Sequence, residues 1–513
     1  MSKKIVFIAF VVSLGGFLFG FDAGIISGVM SYAGPEFNLN DLQVGWVVSS
    51  PSFAAMIAML IAGKLSDIIG RKKILIVVAF LYALSALLSA LASSYEMLYI
   101  SRMIGGLAFG AALILAPAYI AEISSAKNRG KLVSIQQLNI VFGFFAAFLS
   151  NYYFNKYNNI SDNFLTDENV WRWMLGVELL PAILYFIFLF YVPKSPRWLY
   201  NKNFTEEAKQ VLQEIYGKEK GKEELDSIKI MDKTKAIQES SLKVLLTPAF
   251  RYIMLIGLTI GILQQITGIN AVYFYATSIF KQTGIGTDAA FSSGVLLSFI
   301  TVLFTFVAIY LIDRMGRRSL MIIGTAGIAI SLLLCSYGFY SADYQLTKAK
   351  VSQVELIELT TDDLAVAFGK SYSNDIEFKN EVKALIGDQL YAKNEGSILE
   401  AAIEMNANIV LIGILGFIAC FAFSLGPVMW VLLSELYPVK IRGLAIGTIG
   451  FVNSFISWLI QQIFPWELST LGNGLTFAIF GLIAVIGFFI ILKILPETKG
   501  KTLEELEHQL IKR

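Results

Sequence analysis

The side chains in this sequence best placed to do chemistry are polar groups stranded in apolar runs. Asp22 follows Gly15-Gly16-Phe17-Leu18-Phe19-Gly20, Arg102 stands near the start of another apolar run, and Glu178 lies inside a third. Burial raises a carboxylate's pKa and a nearby cation lowers it. A buried Asp22 that gains and loses Arg102 as a neighbour would therefore release and bind a proton, with Glu178 as a second candidate. The alternative is a static pair that tethers two helices. The only histidine, His508, sits in the polar tail, so a proton moved through the apolar part must use a carboxylate.

Amides form the second group: Gln137, the adjacent pair Gln264–Gln265, Asn270 and Asn453, all within apolar runs. Each amide both donates and accepts, as the hydroxyls of a polyol do, so amides can bind a neutral polyol without burying net charge. Trp430 can cover an apolar sugar face while its N–H bonds a hydroxyl. The competing reading is that these amides only join helices to one another. In Gln264-Gln-Ile-Thr-Gly-Ile-Asn270 the glycine permits a broken helix, and broken helices near the midplane line binding sites.

The elements that must hold these groups are membrane helices. Of 513 residues 56% are hydrophobic and 16% charged, whereas about a quarter of a soluble chain is charged. The apolar residues fall in blocks of about 20, enough to cross a ~30 Å hydrocarbon core. Twelve blocks are expected, near 5–30, 42–63, 74–93, 97–123, 131–154, 171–192, 252–280, 287–312, 319–340, 406–433, 443–464 and 473–495. The start is read as a span and not a signal peptide, because its apolar run continues past Asp22. Lys3–Lys4, Lys64 with Arg71–Lys73, Lys127 to Lys131, Arg314 to Arg318 and Lys440–Arg442 occupy alternate loops. The positive-inside bias then places those loops and both termini in the cytoplasm. A net charge of +2 points to no nucleic-acid partner. Cys335 and Cys420 form neither a disulfide framework nor a metal site.

The two halves repeat one another. Asp67-x-x-Gly70-Arg71-Lys72 reappears as Asp313-x-x-Gly316-Arg317-Arg318, 246 positions later. Glu122 with Arg129–Gly130 is repeated by Glu435 with Arg442–Gly443, and Pro193-Lys-Ser-Pro196-Arg197 by Pro496-Glu-Thr-Lys-Gly500. Asp67, Arg71, Glu122, Arg129 and Arg197 in one half, and Asp313, Arg317, Glu435 and Arg442 in the other, are expected to form a cytoplasmic gate that closes and parts. Loop arginines also serve orientation alone. The expected domains are a six-helix bundle over 1–193, a cytoplasmic helical linker over 194–250, a second six-helix bundle over 251–498 and a cytoplasmic helix over 499–513. The second bundle carries an acidic external insert at 341–405, expected to be helical around 350–366 and 375–392. Gly105-Gly106-x-x-x-Gly110 reads as close helix packing and not as a nucleotide loop. No catalytic constellation is visible, so no enzyme is expected.

Gly63-Lys-Leu-Ser-Asp-Ile-Ile-Gly-Arg-Lys-Lys73, Pro193-Lys-Ser-Pro-Arg-Trp-Leu199, Gln264-Gln-Ile-Thr-Gly-Ile-Asn270, Gly426-Pro-Val-Met-Trp430 and Pro496-Glu-Thr-Lys-Gly500 resemble the sugar porter family of the major facilitator superfamily. The resemblance covers nearly the whole chain except 341–405. It implies an all-α membrane protein with the major facilitator fold, twelve transmembrane helices in two pseudo-symmetric six-helix bundles plus cytoplasmic helices. It implies that Gln137, Gln264, Gln265, Asn270, Trp430 and Asn453 contact sugar, with Phe19 and Tyr275 beside it. Asp22 matches the acidic position of proton-coupled members and Arg102 its basic partner, which implies symport. Lys194 stands where the family has glutamate, Thr301 where asparagine is common, Ser454 where many members have tryptophan, Phe274 in place of a tyrosine, and Phe144 in place of a polar residue of xylose symporters. These departures favour a hexose over xylose. The resulting expectation is a monosaccharide–proton symporter acting by alternating access. It is a functional monomer in lipid of a bacterial inner membrane or plasma membrane. It has no cofactor, with sodium as the alternative coupling ion and a uniporter or a transporter-like sugar sensor as alternative functions.

Overall fold

The computed structural model describes residues 3–125, 128–158, 164–233, 242–501 and Glu505, and most of them are helical. Apolar runs become helices because hydrocarbon offers no partner to a backbone N–H or C=O, so each must be paired within its own segment. Among the described residues, eleven helical segments are long and apolar enough to cross a bilayer. The last, Ile441–Ile494, has 54 residues, about 80 Å of helix, enough for two crossings. Its backbone breaks at Gly472 (φ 80°, ψ 163°), so it contributes two spans and the expected twelve are present.

The first five spans are Lys3–Glu36, Asp41–Ile69, Arg71–Ala90, Tyr95–Ile123 and Gly130–Lys156. The sixth runs Val170–Tyr191 and is interrupted before Leu179. The seventh is in three pieces, Pro248–Ile266, Ile269–Phe274 and Ala276–Lys281. The eighth and ninth are Thr287–Ile312 and Arg317–Tyr340. The tenth breaks at Ser424 into Ala407–Phe423 and Leu425–Leu436. Among the described residues the linker holds three short α-helices, Pro196–Asn201, Thr205–Tyr216 and Lys218–Lys233, and a 3₁₀ turn at Leu242–Leu246. Residues 234–241 of the linker, and the expected tail helix apart from Glu505, lie outside the described residues.

The chain divides into two compact units. The first comprises residues 1–25, 50–147 and 172–238. Its core joins Val11, Val12, Leu75, Tyr82, Ala112, Leu115, Tyr119 and Tyr185. Small residues let its helices touch backbone to backbone. A Cβ on Gly106 would lie 2.3 Å from Pro51 O, and one on Gly20 would lie 2.0 Å from Ile140 O. The packing reading of Gly105–Gly110 therefore holds.

The second unit comprises residues 26–49, 148–171 and 239–513. The far ends of the first, second and fifth spans thus pack with second-half helices. Ser27 Oγ lies 3.0 Å from Thr277 Oγ1 and accepts from Thr277 N at 2.9 Å. Ser49 Oγ donates to Gln462 Oε1 at 2.8 Å, and Asn155 Nδ2 to Asp288 Oδ1 at 2.6 Å.

The segment 341–405 is a folded body with its own core, including Tyr344, Leu364, Tyr372, Phe378, Tyr391 and Leu399. Asp343–Gln345 is the middle strand of a three-stranded antiparallel sheet, with Tyr344 opposite both Tyr372 and Ile403. Helices occupy Asp375–Ile386 and Asp388–Ala402. The helix expected at 350–366 is absent. In its place stand a turn at Lys348–Val351 and a 3₁₀ turn at Thr361–Ala367, where Thr360 and Asp363 form a capping box. Short polar side chains that bond nearby backbone favour such turns over continuous helix.

Candidate functional site

Four of the predicted amides form one hydrogen-bonded cluster in the second unit. Gly268 adopts φ +84°, a left-handed conformation that costs a glycine little, and the seventh span breaks there. Gln264 and Gln265 end the helix before the break, and Asn270 begins the helix after it. Gln265 Nε2 donates to Gln264 Oε1 and to Asn453 Oδ1, both at 3.2 Å. Asn270 Nδ2 donates to Gln265 Oε1 at 3.0 Å. Asn453 Nδ2 donates to Gln264 Oε1 at 2.8 Å and to Gly261 O at 2.7 Å. Gln264 Nε2 donates to Leu425 O at 2.9 Å and Gly426 O at 3.3 Å, just past the break in the tenth span. The cluster thus joins three spans.

Two members were not predicted. Ser457 Oγ accepts from Asn270 Nδ2 at 2.6 Å and from Gln461 Nε2 at 2.8 Å. Asn453, Ser457 and Gln461 recur every four residues and so share one helix face. That polar stripe in an apolar run was the available signal. Tyr275 adjoins the cluster, its hydroxyl donating to Gln461 O at 3.0 Å and its ring lying 5.3 Å from Phe464. Trp430 is 44% exposed, a free aromatic face on the half-span Leu425–Leu436. Thr301 is engaged by Tyr273, oxygen to oxygen at 2.9 Å.

The first unit holds the other predicted residues. Arg102 Nη1 lies 3.1 Å from Asp22 Oδ1, and Nη2 lies 3.5 Å from Oδ2. Both side chains are buried. Glu178 is buried at the interruption of the sixth span, where it feels the charges of Asp22 and Arg102. Three buried ionisable groups thus share one neighbourhood, where charge interactions are stronger than in bulk water. Phe19 packs between Phe109 and Phe144, at ring distances of 4.8 and 6.5 Å. Gln137 is exposed on the fifth span.

The repeated motifs build matching networks. Arg71 lies 2.5 Å from Asp67 and 3.0 Å from Glu122, whose other oxygen accepts from Ser195 Oγ. Arg317 lies 2.9 Å from Glu435, whose other oxygen accepts from Thr498 Oγ1 at 2.6 Å. Arg71 Nη1 donates to Ser66 O, and Arg317 Nη1 to Ile312 O. The side chains of Arg129 and Asp313 lie outside the described residues. Arg442 Nε donates to Tyr437 O at 3.0 Å, and Arg197 is half-buried. Lys194, the expected departure, pairs with Glu207 at 3.0 Å. Its counterpart Glu497 accepts from Arg317 N at 3.0 Å and Arg318 N at 3.1 Å, capping the ninth span.

The model of the family described as "Sugar (and other) transporter" matches residues 8–357 and 387–510. An arabinose–proton symporter of Bacillus subtilis is 32% identical over 99% of this chain and 95% of its own length. A glucose transporter of Staphylococcus epidermidis is 31% identical over 100% of this chain and 98% of its own. The inward-open structure of the xylose transporter XylE from E. coli superposes with a TM-score of 0.75 at 28% identity, covering 99% of this chain and 100% of that one.

Proposed function

Because this chain belongs to the sugar porter family, as a multi-pass membrane transporter and not an enzyme, we propose that it is a monosaccharide symporter driven by protons. The amide cluster at the Gly268 break carries this reading. Gln265, Asn270 and Asn453 offer donors and acceptors without net charge, and a sugar hydroxyl can replace any one of their mutual bonds with a like bond. Trp430 supplies the apolar face that a sugar ring stacks on. The relatives named for arabinose and glucose support a monosaccharide. The departures of Thr301 and Phe144 from the residues that the family resemblance leads one to expect favour a hexose.

Asp22 is the proton carrier in this reading, and Arg102 is the cation whose approach expels the proton. Sugar and proton need only favour the same arrangement of the carrier for their movements to be coupled. The Arg71 and Arg317 networks act as the cytoplasmic gate, and the loops bearing them face the cytoplasm with both termini. The close Asp22–Arg102 contact also favours a second reading, a uniporter in which the pair is a fixed tether.

Proteoliposomes separate the two. The symporter alkalinises the external medium when sugar is added, and Asp22→Asn abolishes accumulation against a gradient while leaving sugar exchange intact. Sugar entry with no proton movement, together with an Asp22→Asn protein that still concentrates sugar, would establish the uniporter.

A further inference from the structure

The insert grips two turns of the second unit at once. From its second helix, Glu395 Oε1 accepts from Gln282 Nε2 at 2.9 Å. Gln282 Oε1 in turn accepts from Asn473 Nδ2 at 3.4 Å. Asn473 also donates through its backbone N at 3.0 Å and its Nδ2 at 2.8 Å to Asp375 Oδ2, on the insert's first helix. Asp375, Asn473 and Gln282 are all buried.

This chain of bonds starts and ends in the insert. It passes through the turn after Ala276–Lys281 and through the break between the last two spans. Close packing follows the same path. A Cβ on Gly284 would lie 3.0 Å from Ile403 Cβ, one on Gly286 2.6 Å from the Glu400 carboxylate, and one on Gly472 2.6 Å from Asp375 Oδ1. Ala276–Lys281 is a single turn and a half of helix, set off from the rest of its span at Tyr275. It is also held by Thr277 bonded to Ser27 and by packing of its buried side chains, Ile279 and Phe280 among them, with Thr287–Met315 next to it. So short a helix cannot hold itself in place.

We propose that the segment 341–405 is a brace that fixes the outermost piece of the seventh span to the Gly472 turn, so that this piece leaves its place only when the insert lets go. The two anchor points, Asp375 and Glu395, lie on different helices, which the insert's own core joins through Phe378, Val382, Tyr391 and Leu399. The brace rests on the transport reading for its purpose, but its test does not use sugar.

Hydrogen–deuterium exchange of the full chain in nanodiscs, without sugar or gradient, tests it. In Asp375→Ala/Glu395→Ala, exchange over 276–286 and 472–476 is expected to rise about tenfold, with Pro248–Ile266 unchanged. Glu395→Gln keeps an acceptor for Gln282 and is expected to retain the protection. If Asp375→Ala unfolds the insert, seen as exchange throughout its core, Glu395→Ala alone carries the measurement. Wild-type exchange rates over 276–286 in Glu395→Ala and in the folded double variant would overturn the brace. A failed transport assay would leave these rates untouched, so the two readings fail separately.

Discussion

Gln264 and Gln265 are neighbours in sequence with different standing in the cluster. Gln264 donates both amide hydrogens to backbone carbonyls of the tenth span and accepts twice. Gln265 bonds only to other side chains, at 3.0–3.2 Å, and such partners are exchanged for sugar hydroxyls at little cost. Gln265→Ala is therefore expected to weaken sugar binding by about 1–3 kcal/mol, roughly five- to 150-fold in Kd. Titration calorimetry of the purified protein measures this, and an unchanged Kd would remove Gln265 from the site. Gln264→Ala is the harsher change for folding, since it strands two carbonyls at the Ser424 break.

At the scale of elements, the membrane helices are held by contact between backbones and by interruptions at chosen points. Lipid tails supply no hydrophobic force between helices, so small residues that admit close approach do much of the joining. Gly106 is the clearest case, with Pro51 O, Cα and C all within 2.8 Å of an added Cβ. Backbone of the second span cannot step aside as a side chain can. Gly106→Leu is expected to abolish folded protein, read as loss of the monodisperse peak in detergent. A folded, active Gly106→Leu would show that these two spans are not packed as described. The interruptions at Gly268 and Ser424 do the opposite work, freeing backbone beside the amides.

Across the whole molecule, the two halves repeat one design with one substitution of consequence. Gly70 and Gly316 take φ +106° and +89° at matching turns, where a Cβ would be strained. Lys72 Nζ reaches Phe190 O as Arg318 Nη2 reaches Leu492 O. Yet the ninth span begins on the Glu497 carboxylate, while the third begins at Gly70 with no side-chain cap and Lys194 in the matching place. An anion at a helix N-terminus contributes about 0.3–1 kcal/mol, and the exposed Lys194–Glu207 pair about 0–1 kcal/mol. Lys194→Glu trades that pair for the cap, a net gain of at most about 1 kcal/mol, and is expected to raise the melting midpoint by up to about 2–4 °C, the shift that 1 kcal/mol gives a unit of this size. Thermal unfolding in detergent checks it, and a lower midpoint would mean that the Glu207 pair matters more than the missing cap.

The spans, their number and the paired motifs were legible in the sequence because lipid imposes one requirement, a long apolar segment whose backbone groups are paired internally, and interruptions such as those at Gly268 and Ser424 leave that apolar length intact. Asp22 with Arg102 was legible for a related reason: a charge in an apolar run needs a counter-charge, and few stand nearby. Asn453, Ser457 and Gln461 were written at helical spacing, yet only the fold showed that this face meets Asn270 and Tyr275. The sequence marked 341–405 as an addition but not its sheet, whose strands are two or three residues long and pair as far apart as Asp343 and Glu404. Contacts between distant segments depend on how helices lean and where they break, and neither is encoded in local periodicity. The grip of Asp375 and Glu395 on two separate turns, and the far ends of first-half spans packing with second-half helices, were decided by tertiary structure alone.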